Sequence, residues 1–177
     1  FLETEQREVA EILNNLLDQG VNLVDTAAGY DGSEEMIGKT ISQRRNDYIL
    51  VSKCGRATDG IAGEAWSEAC VTNTLDRALT RLKTDYLDVM LLHSCDLETL
   101  QKGEAIAALV KARDAGKIRF LGYAGDNEAA AYAAGLADVS VIETSINICD
   151  QANIDNVLGL CQQNNVGVIA KRSIANA

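Results

Sequence analysis

Apolar and polar positions along the 177-residue chain follow two periods in turn. Runs that are almost wholly apolar occur at 21–25 (VNLVD), 48–53 (YILVSK), 87–93 (LDVMLLH), 118–123 (IRFLGY), 139–146 (VSVIETSI) and 166–171 (VGVIAK). Short continuous runs of this kind read as strands buried on both faces. Between them the helical period takes over. Residues 4–20 carry Val9, Ile12, Leu13, Leu16 and Leu17 on one stripe and stop at Gly20. A helix over 33–42 is opened by Ser33, with Glu34 and Glu35 in its first turn. Further helices are predicted over 64–83 (Val71, Leu75, Leu79, Leu82), 97–115 (closed by Gly116), 127–136 and 152–164 (Ile154, Val157, Leu158, Cys161). Six strands and six helices in strict α-then-β order predict a parallel α/β sheet. No linker or composition break divides it, so residues 1–177 form a single domain.

Two architectures fit this order: a doubly wound open sheet, or part of a (β/α)8 TIM barrel. The first strand is not followed by GxGxxG, and nothing matches a Walker loop. Polar residues close, or immediately follow, three of the apolar runs: Asp25, Tyr30, Lys53 and His93, the only histidine of the chain. In parallel α/β folds the carboxyl ends of the strands face one rim. Functional residues spread over several successive strand ends favour the barrel. Singly, each has a plain reading: a turn cap, a rim aromatic, a solvated strand end, a core histidine. Together, an acid, a phenol, an amine and an imidazole on one rim form a proton-transfer site.

Composition excludes several function classes. A net charge of −10 argues against nucleic acid and against an anionic membrane surface. It leaves room for one phosphate-bearing ligand held by local cations and backbone amides. No apolar run approaches the roughly 18–20 residues of a membrane span, and no signal-peptide pattern opens the chain, which points to the cytoplasm. Five cysteines, Cys54, Cys70, Cys95, Cys149 and Cys161, show no CxxC or metal-ligand spacing and read as free thiols in a reducing compartment. Proline is absent, for which we have no physical account. Phe1 is not an initiator residue, so a processed or truncated start is expected.

Four segments carry a family resemblance. GVNLVDTAAGYDGSEEMIGKTI (20–41), ILVSKCG (49–55), RALTRLKTDYLDVMLLHS (77–94) and DAGKIRFLGYAG (114–125), in this order, resemble the aldo-keto reductases over essentially the whole chain. The resemblance implies an incomplete (β/α)8 barrel, strands two to seven, acting on a small-molecule carbonyl substrate. It implies reduction of an aldehyde or ketone with NADP(H), NAD(H) not being excluded. It also implies a tetrad in which Tyr30 gives the proton, Lys53 and Asp25 tune that phenol, and His93 orients the carbonyl oxygen. Lysine beside a phenol favours the phenolate and so makes it a better acid.

For the cofactor the resemblance points to Asp25, to Glu143 where the family usually has glutamine, and to Ala124 and Gly125 where it often has Ser-Asn. Lys171 and Arg172 stand where it often has an aromatic. Asp126 and Asn127 either serve the same amide or cap the next helix, and Asn147 is a rim or a turn residue. The loops 55–63 and 94–103 are expected to wall the substrate site, and Trp66 either adds an apolar face or belongs to the core. By analogy the first strand and the C-terminal part of the barrel are missing. That leaves apolar edges at 21–25 and 166–171, through which copies could pair. Two rival readings stay open. One is a cofactor-binding or regulatory protein with little turnover, motivated by Glu143, Ala124 and Gly125. The other is a barrel lyase or isomerase with Lys53 as a Schiff-base amine.

Overall fold

A computed structural model describes the backbone of residues 3–175 and the side chains of residues 5–175, so Phe1 and the expectation attached to it lie outside. Six strands, β1 Leu23–Asp25, β2 Ile49–Cys54, β3 Leu87–His93, β4 Ile118–Ala124, β5 Val141–Ser145 and β6 Gly167–Lys171, form one sheet in chain order. Every neighbouring pair is parallel. Helices fill the connections: α1 Glu3–Asp18, α2 Ser33–Thr40, α3 Glu68–Leu82, α4 Leu97–Lys102, α5 Glu104–Asp114, α6 Asn127–Ala134 and α7 Gly159–Gln163.

Strand side chains alternate between two faces. Leu50, Met90, Leu92, Leu121 and Ile142 join the large core beneath the helices. Val51, Val89, Leu91 and Ala124 form a second, smaller cluster with Val141 and Ile169. Two faces packed separately, with strands in sequential order, make an incomplete (β/α)8 barrel, its inner face lined by the second cluster. That face is open away from the rim, where Ile49 and Phe120, of the inner parity, are 44% and 51% exposed. The central strand β3 is buried up to His93, whereas β1 and β6 at the two edges are largely exposed. An apolar run therefore reported a strand in every case, but burial only where a neighbouring strand lies on each side.

The helix boundaries depart from the periodic pattern at identifiable residues. The helix expected over 97–115 is two helices, because Gly103 adopts φ 75 and ends α4 before α5 begins. The helix expected from 64 starts at Glu68, where the Ser67 hydroxyl accepts the Cys70 N–H at 3.2 Å. Trp66 thus stands outside the helix, in the left-handed region at φ 68, and packs against the core. Its ring covers Gly55, where a methyl group would lie 2.3 Å from the indole, so only glycine fits. Gly32, at φ 69, rather than Ser33, is the cap of α2. Ser33 is its first helical residue, and its hydroxyl lies 2.7 Å from that of Thr26. Residues 42–47 form a 3-10 segment that no apolar period announced, and 154–158 are π-helical before α7.

At the amino ends of the strands, Arg45 of the 3-10 segment reaches Asp88 on β3 at 2.6 Å. It also donates to Thr84 and to the carbonyls of Tyr48 and Tyr86. Its guanidinium lies 4.3 Å from the Tyr86 ring centroid. Arg119 pairs with the other oxygen of Asp88 at 3.1 Å. Arg45, Tyr48, Tyr86, Asp88 and Arg119 line a cleft of about 350 Å³.

Candidate active site

The opposite end of the sheet gathers the polar strand ends. Parallel register sets His93 beside Ala124 and Ala124 beside Glu143 in one row, while Lys53 lies beside Leu91, two residues earlier along β3. Lys53 is 1% exposed, and its ammonium donates to both oxygens of Asp25 at 2.5 and 2.6 Å and to the Thr26 carbonyl at 3.1 Å. A buried ammonium needs such partners, since removal from water otherwise costs several kcal/mol. Tyr30 sits in the loop after β1, about half exposed, with its ring centroid 5.5 Å from Lys53 Nζ. His93 meets the same ring edge-on at 5.8 Å, with the two planes at 87°. The four residues singled out at strand ends are therefore one cluster.

His93 is held by its neighbours' backbone. Ser94, at φ 60, donates its hydroxyl to the Ala124 carbonyl at 2.9 Å, and the His93 carbonyl accepts from Arg56 Nε at 2.8 Å. Burial, then the charges of Arg56, Lys53 and Lys171, push the imidazole down to about 4. The ring is consequently neutral near pH 7, with one donor and one acceptor nitrogen.

Glu143 enters this cluster directly. Its carboxyl is 3% exposed and its Oε2 lies 3.1 Å from Lys53 Nζ. The contact is an ion pair without hydrogen-bond alignment, which leaves Oε2 buried with no hydrogen-bond partner. Burial pushes the Glu143 carboxyl up, Lys53 opposes that shift, and the Asp25 charge adds to it. One ammonium thus stands between two carboxylates, one fully hydrogen-bonded and one not.

The remaining expected positions fall into two groups. Ala124 and Gly125 are buried, and their polar backbone atoms are engaged: the Ala124 carbonyl by Ser94, the Gly125 N–H by the Glu143 carbonyl at 3.0 Å. Lys171 and Arg172 lie together at the end of β6, each 3.5 Å from Asp126 Oδ2, and Arg172 also donates to the Ser145 hydroxyl at 2.8 Å. Asp126 does not cap α6 with its side chain. Its carboxylate accepts instead from the Ser145 N–H at 2.7 Å and the Thr144 hydroxyl at 3.0 Å, while Asn153 accepts the Asn127 N–H. Burial works against the Asp126 charge, yet the Ser145 N–H, Lys171 and Thr144 together hold its carboxyl below the usual range. Asn147 is a turn residue, its Oδ1 accepting the N–H groups of Cys149 and Asp150. Two features carried no signal in the sequence pattern: the Glu143–Lys53 contact and Arg56 against His93.

With this geometry in place, comparison with known proteins is decisive. A sequence model of the aldo/keto reductase family matches residues 2–177. The chain belongs to that family. It is 39% identical over 126 residues to an uncharacterized oxidoreductase of Bacillus subtilis, YqkF, covering 68% of this chain and 41% of that protein. Against the L-galactose dehydrogenase of Arabidopsis thaliana it is 37% identical over 113 residues, covering 60% of this chain and 34% of that one. Among solved structures, the holo form of an aldo-keto reductase from Bacillus halodurans superposes with a TM-score of 0.80 at 26% identity, covering 93% of this chain and 57% of that one. An aldo-keto reductase from Klebsiella pneumoniae in complex with NADPH gives 0.78 at 28% identity, covering 96% and 59%. The chain therefore spans about a third to three fifths of the length of these relatives. Its half-barrel of six parallel strands matches the incomplete (β/α)8 fold that the strand pattern favoured.

Proposed function

We propose that the protein carrying this chain reduces an aldehyde or ketone to an alcohol, with Tyr30 as the general acid. Lys53 supplies positive charge beneath the phenol, Asp25 holds that ammonium in place, and neutral His93 donates a hydrogen bond to the carbonyl oxygen. The observation that carries this reading is the buried Lys53 ammonium, bound by both oxygens of Asp25 and 5.5 Å from the Tyr30 ring. As the carbonyl oxygen gains negative charge, the Tyr30 proton moves to it, and Lys53 stabilises the phenolate left behind. His93 fixes the oxygen between the two.

The nicotinamide cofactor, NADP(H) with NAD(H) as the alternative, supplies the hydride. The residues present fit such a group at two points. Glu143 keeps a buried carboxyl oxygen without a hydrogen bond, an acceptor for a carboxamide N–H. Lys171 and Arg172 give two cations against the single carboxylate of Asp126, a charge surplus suited to a phosphate. Asp25 borders the same cluster. Ala124 and Gly125 offer it no side-chain polar group.

A second reading, a cofactor-binding protein with little turnover, is favoured by one observation: Glu143 offsets the charge that Lys53 would lend to Tyr30. Schiff-base chemistry at Lys53 is disfavoured by the same geometry, since the amine is 1% exposed and its donors are taken by Asp25 and the Thr26 carbonyl.

The test uses the full-length protein, the reduced cofactor and a broad panel of aldehydes and ketones, followed by loss of nicotinamide absorbance. Turnover that disappears in Tyr30→Phe is the expected result. Cofactor binding without turnover of any carbonyl would establish the regulatory reading instead. A borohydride-trapped substrate adduct on Lys53 would replace both by the lyase.

A further inference from the structure

The loop after β2 carries a cation that the proton transfer leaves unused. Arg56 follows Gly55, and its backbone is fixed on both sides. Gly55, at φ 99 under the Trp66 ring, accepts the Trp66 N–H at 2.7 Å. The Cys70 thiol lies 3.5 Å from the Gly55 carbonyl and 3.6 Å from the Arg56 carbonyl. The side chain is fixed too, through Nε donating to the His93 carbonyl at 2.8 Å. That bond occupies the inner nitrogen and leaves the two terminal nitrogens as a fork.

The other rim cations each have a carboxylate partner: Lys53 has Asp25 and Glu143, and Lys171 and Arg172 share Asp126. Among the described residues, Arg56 has its Nε bond and no carboxylate partner. It is exposed, in a chain of net charge −10. After burial, its charge is the largest influence on the His93 imidazole, which places it within electrostatic reach of the ring expected to hold the substrate oxygen. It follows β2, whereas Lys171 and Arg172 lie at the end of β6, the far edge strand of the sheet. A planar guanidinium fork held rigid at its inner end matches a carboxylate in two parallel hydrogen bonds.

We propose that Arg56 is the residue that recognises an anionic group on the substrate, and that the preferred carbonyl compounds are 2-oxo acids. The assignment rests on the reductase reading above. With Nε anchored at His93, the fork and the imidazole are tied to one strand end. A carboxylate adjacent to the carbonyl therefore engages Arg56 while the carbonyl oxygen engages His93 and Tyr30. Little conformational entropy is lost on binding, because the fork is already fixed in the free protein.

The full-length protein is compared with its Arg56→Gln and Arg56→Lys variants, using glyoxylate and the neutral methylglyoxal as substrates. Binding of oxamate, a 2-oxo acid isostere, is measured by calorimetry without cofactor. In Arg56→Gln the ratio of kcat/KM for glyoxylate to that for methylglyoxal falls roughly ten- to a hundredfold, and oxamate affinity falls with it. Arg56→Lys restores part of both. Equal losses for the two substrates, or unchanged oxamate binding, would overturn the proposal. So would a preference for glyceraldehyde 3-phosphate over glyoxylate that Arg56→Gln abolishes, which would assign the fork to phosphate. A loss confined to NADPH affinity would move Arg56 to the cofactor site and overturn it as well. If the wild type turns over no carbonyl at all, the reductase reading fails, and oxamate binding decides the anion site by itself.

Discussion

The two ends of this half-barrel each hold a cation flanked by carboxylate and aromatic groups, and they solve the problem in opposite ways. At the amino ends of the strands, Arg45 donates to Thr84, two backbone carbonyls and Asp88, and lies against Tyr86. Asp88 is shared with Arg119 and with the Leu50 N–H, so neither of its oxygens is unpaired. At the carboxyl ends, Lys53 is more deeply buried, yet its second carboxylate, Glu143, keeps an oxygen without a hydrogen bond. Tyr30 beside it has a half-exposed ring. A polar network with every group satisfied is a fastening. One with a group left over has capacity to bind or to move a proton, and such exceptions concentrate where chemistry is done.

The largest expected effect separates the two ends outright. Tyr30→Phe should lower carbonyl reduction by roughly 10²–10⁴-fold, the usual worth of a general acid, with the unfolding midpoint unchanged. Steady-state kinetics and a thermal melt on the same sample check both halves. A variant that unfolds earlier but turns over normally would make Tyr30 part of the fastening. The converse change is Arg45→Met, which leaves the buried Asp88 carboxylate with only Arg119 and the Leu50 N–H. Loss of the charged hydrogen bond should cost about 1.5–3 kcal/mol of stability in urea unfolding, with activity per folded molecule retained. Little change in the urea midpoint would mean that Arg119 alone satisfies Asp88.

Glu143→Gln tests the leftover oxygen. Because burial raises the folded-state pKa of Glu143, its ionisation disfavours the fold, and wild-type stability declines as pH rises from the unfolded toward the folded pKa. The glutamine variant lacks that decline, so its stability advantage should widen toward neutral pH in parallel urea titrations. An advantage independent of pH would show that the carboxyl is not destabilised there. His93 carries the opposite slope. Its folded value of about 4 lies below the ordinary 6.5, so the unfolded chain binds the extra proton first and stability falls as pH drops from about 6.5 toward 4. His93→Gln should flatten that part of the profile. An unchanged profile would place the acid sensitivity elsewhere.

The contrast between the ends also explains what could be read from the chain. Strands were legible because parallel, doubly covered strands are continuous apolar runs, and the rim residues because a strand end needs no tertiary knowledge to locate. Glu143 was visible as a rim position, but its pairing with Lys53 depends on how the sheet curls to bring β5 toward β2. Arg56 lies in a glycine-containing loop, where no period constrains side-chain direction. The Asp126 carboxylate turned away from its helix because the Ser145 N–H, Lys171 and Arg172 compete for it more strongly than a helix N-terminus does. Gly103 split a helix whose apolar stripe runs through the break, since periodicity records faces and not backbone dihedrals.

The Gly55–Trp66 contact divides the loop after β2 into a root and a tip. Gly55 and Arg56 are clamped by Trp66 and Cys70, and Arg77 and Asn73 of α3 tether Thr58, Asp59 and Ala62. Gly60 has open space where a side chain would begin, although its φ of 76 favours glycine itself. Diversity introduced by lengthening the chain beside Gly60 would reshape the loop that follows Thr58 and Asp59, which share a cleft with Tyr30, while Lys53 and Arg56 stay registered. For anyone redesigning the specificity of this protein, the tip is the part to vary, and the indole is the part to leave alone.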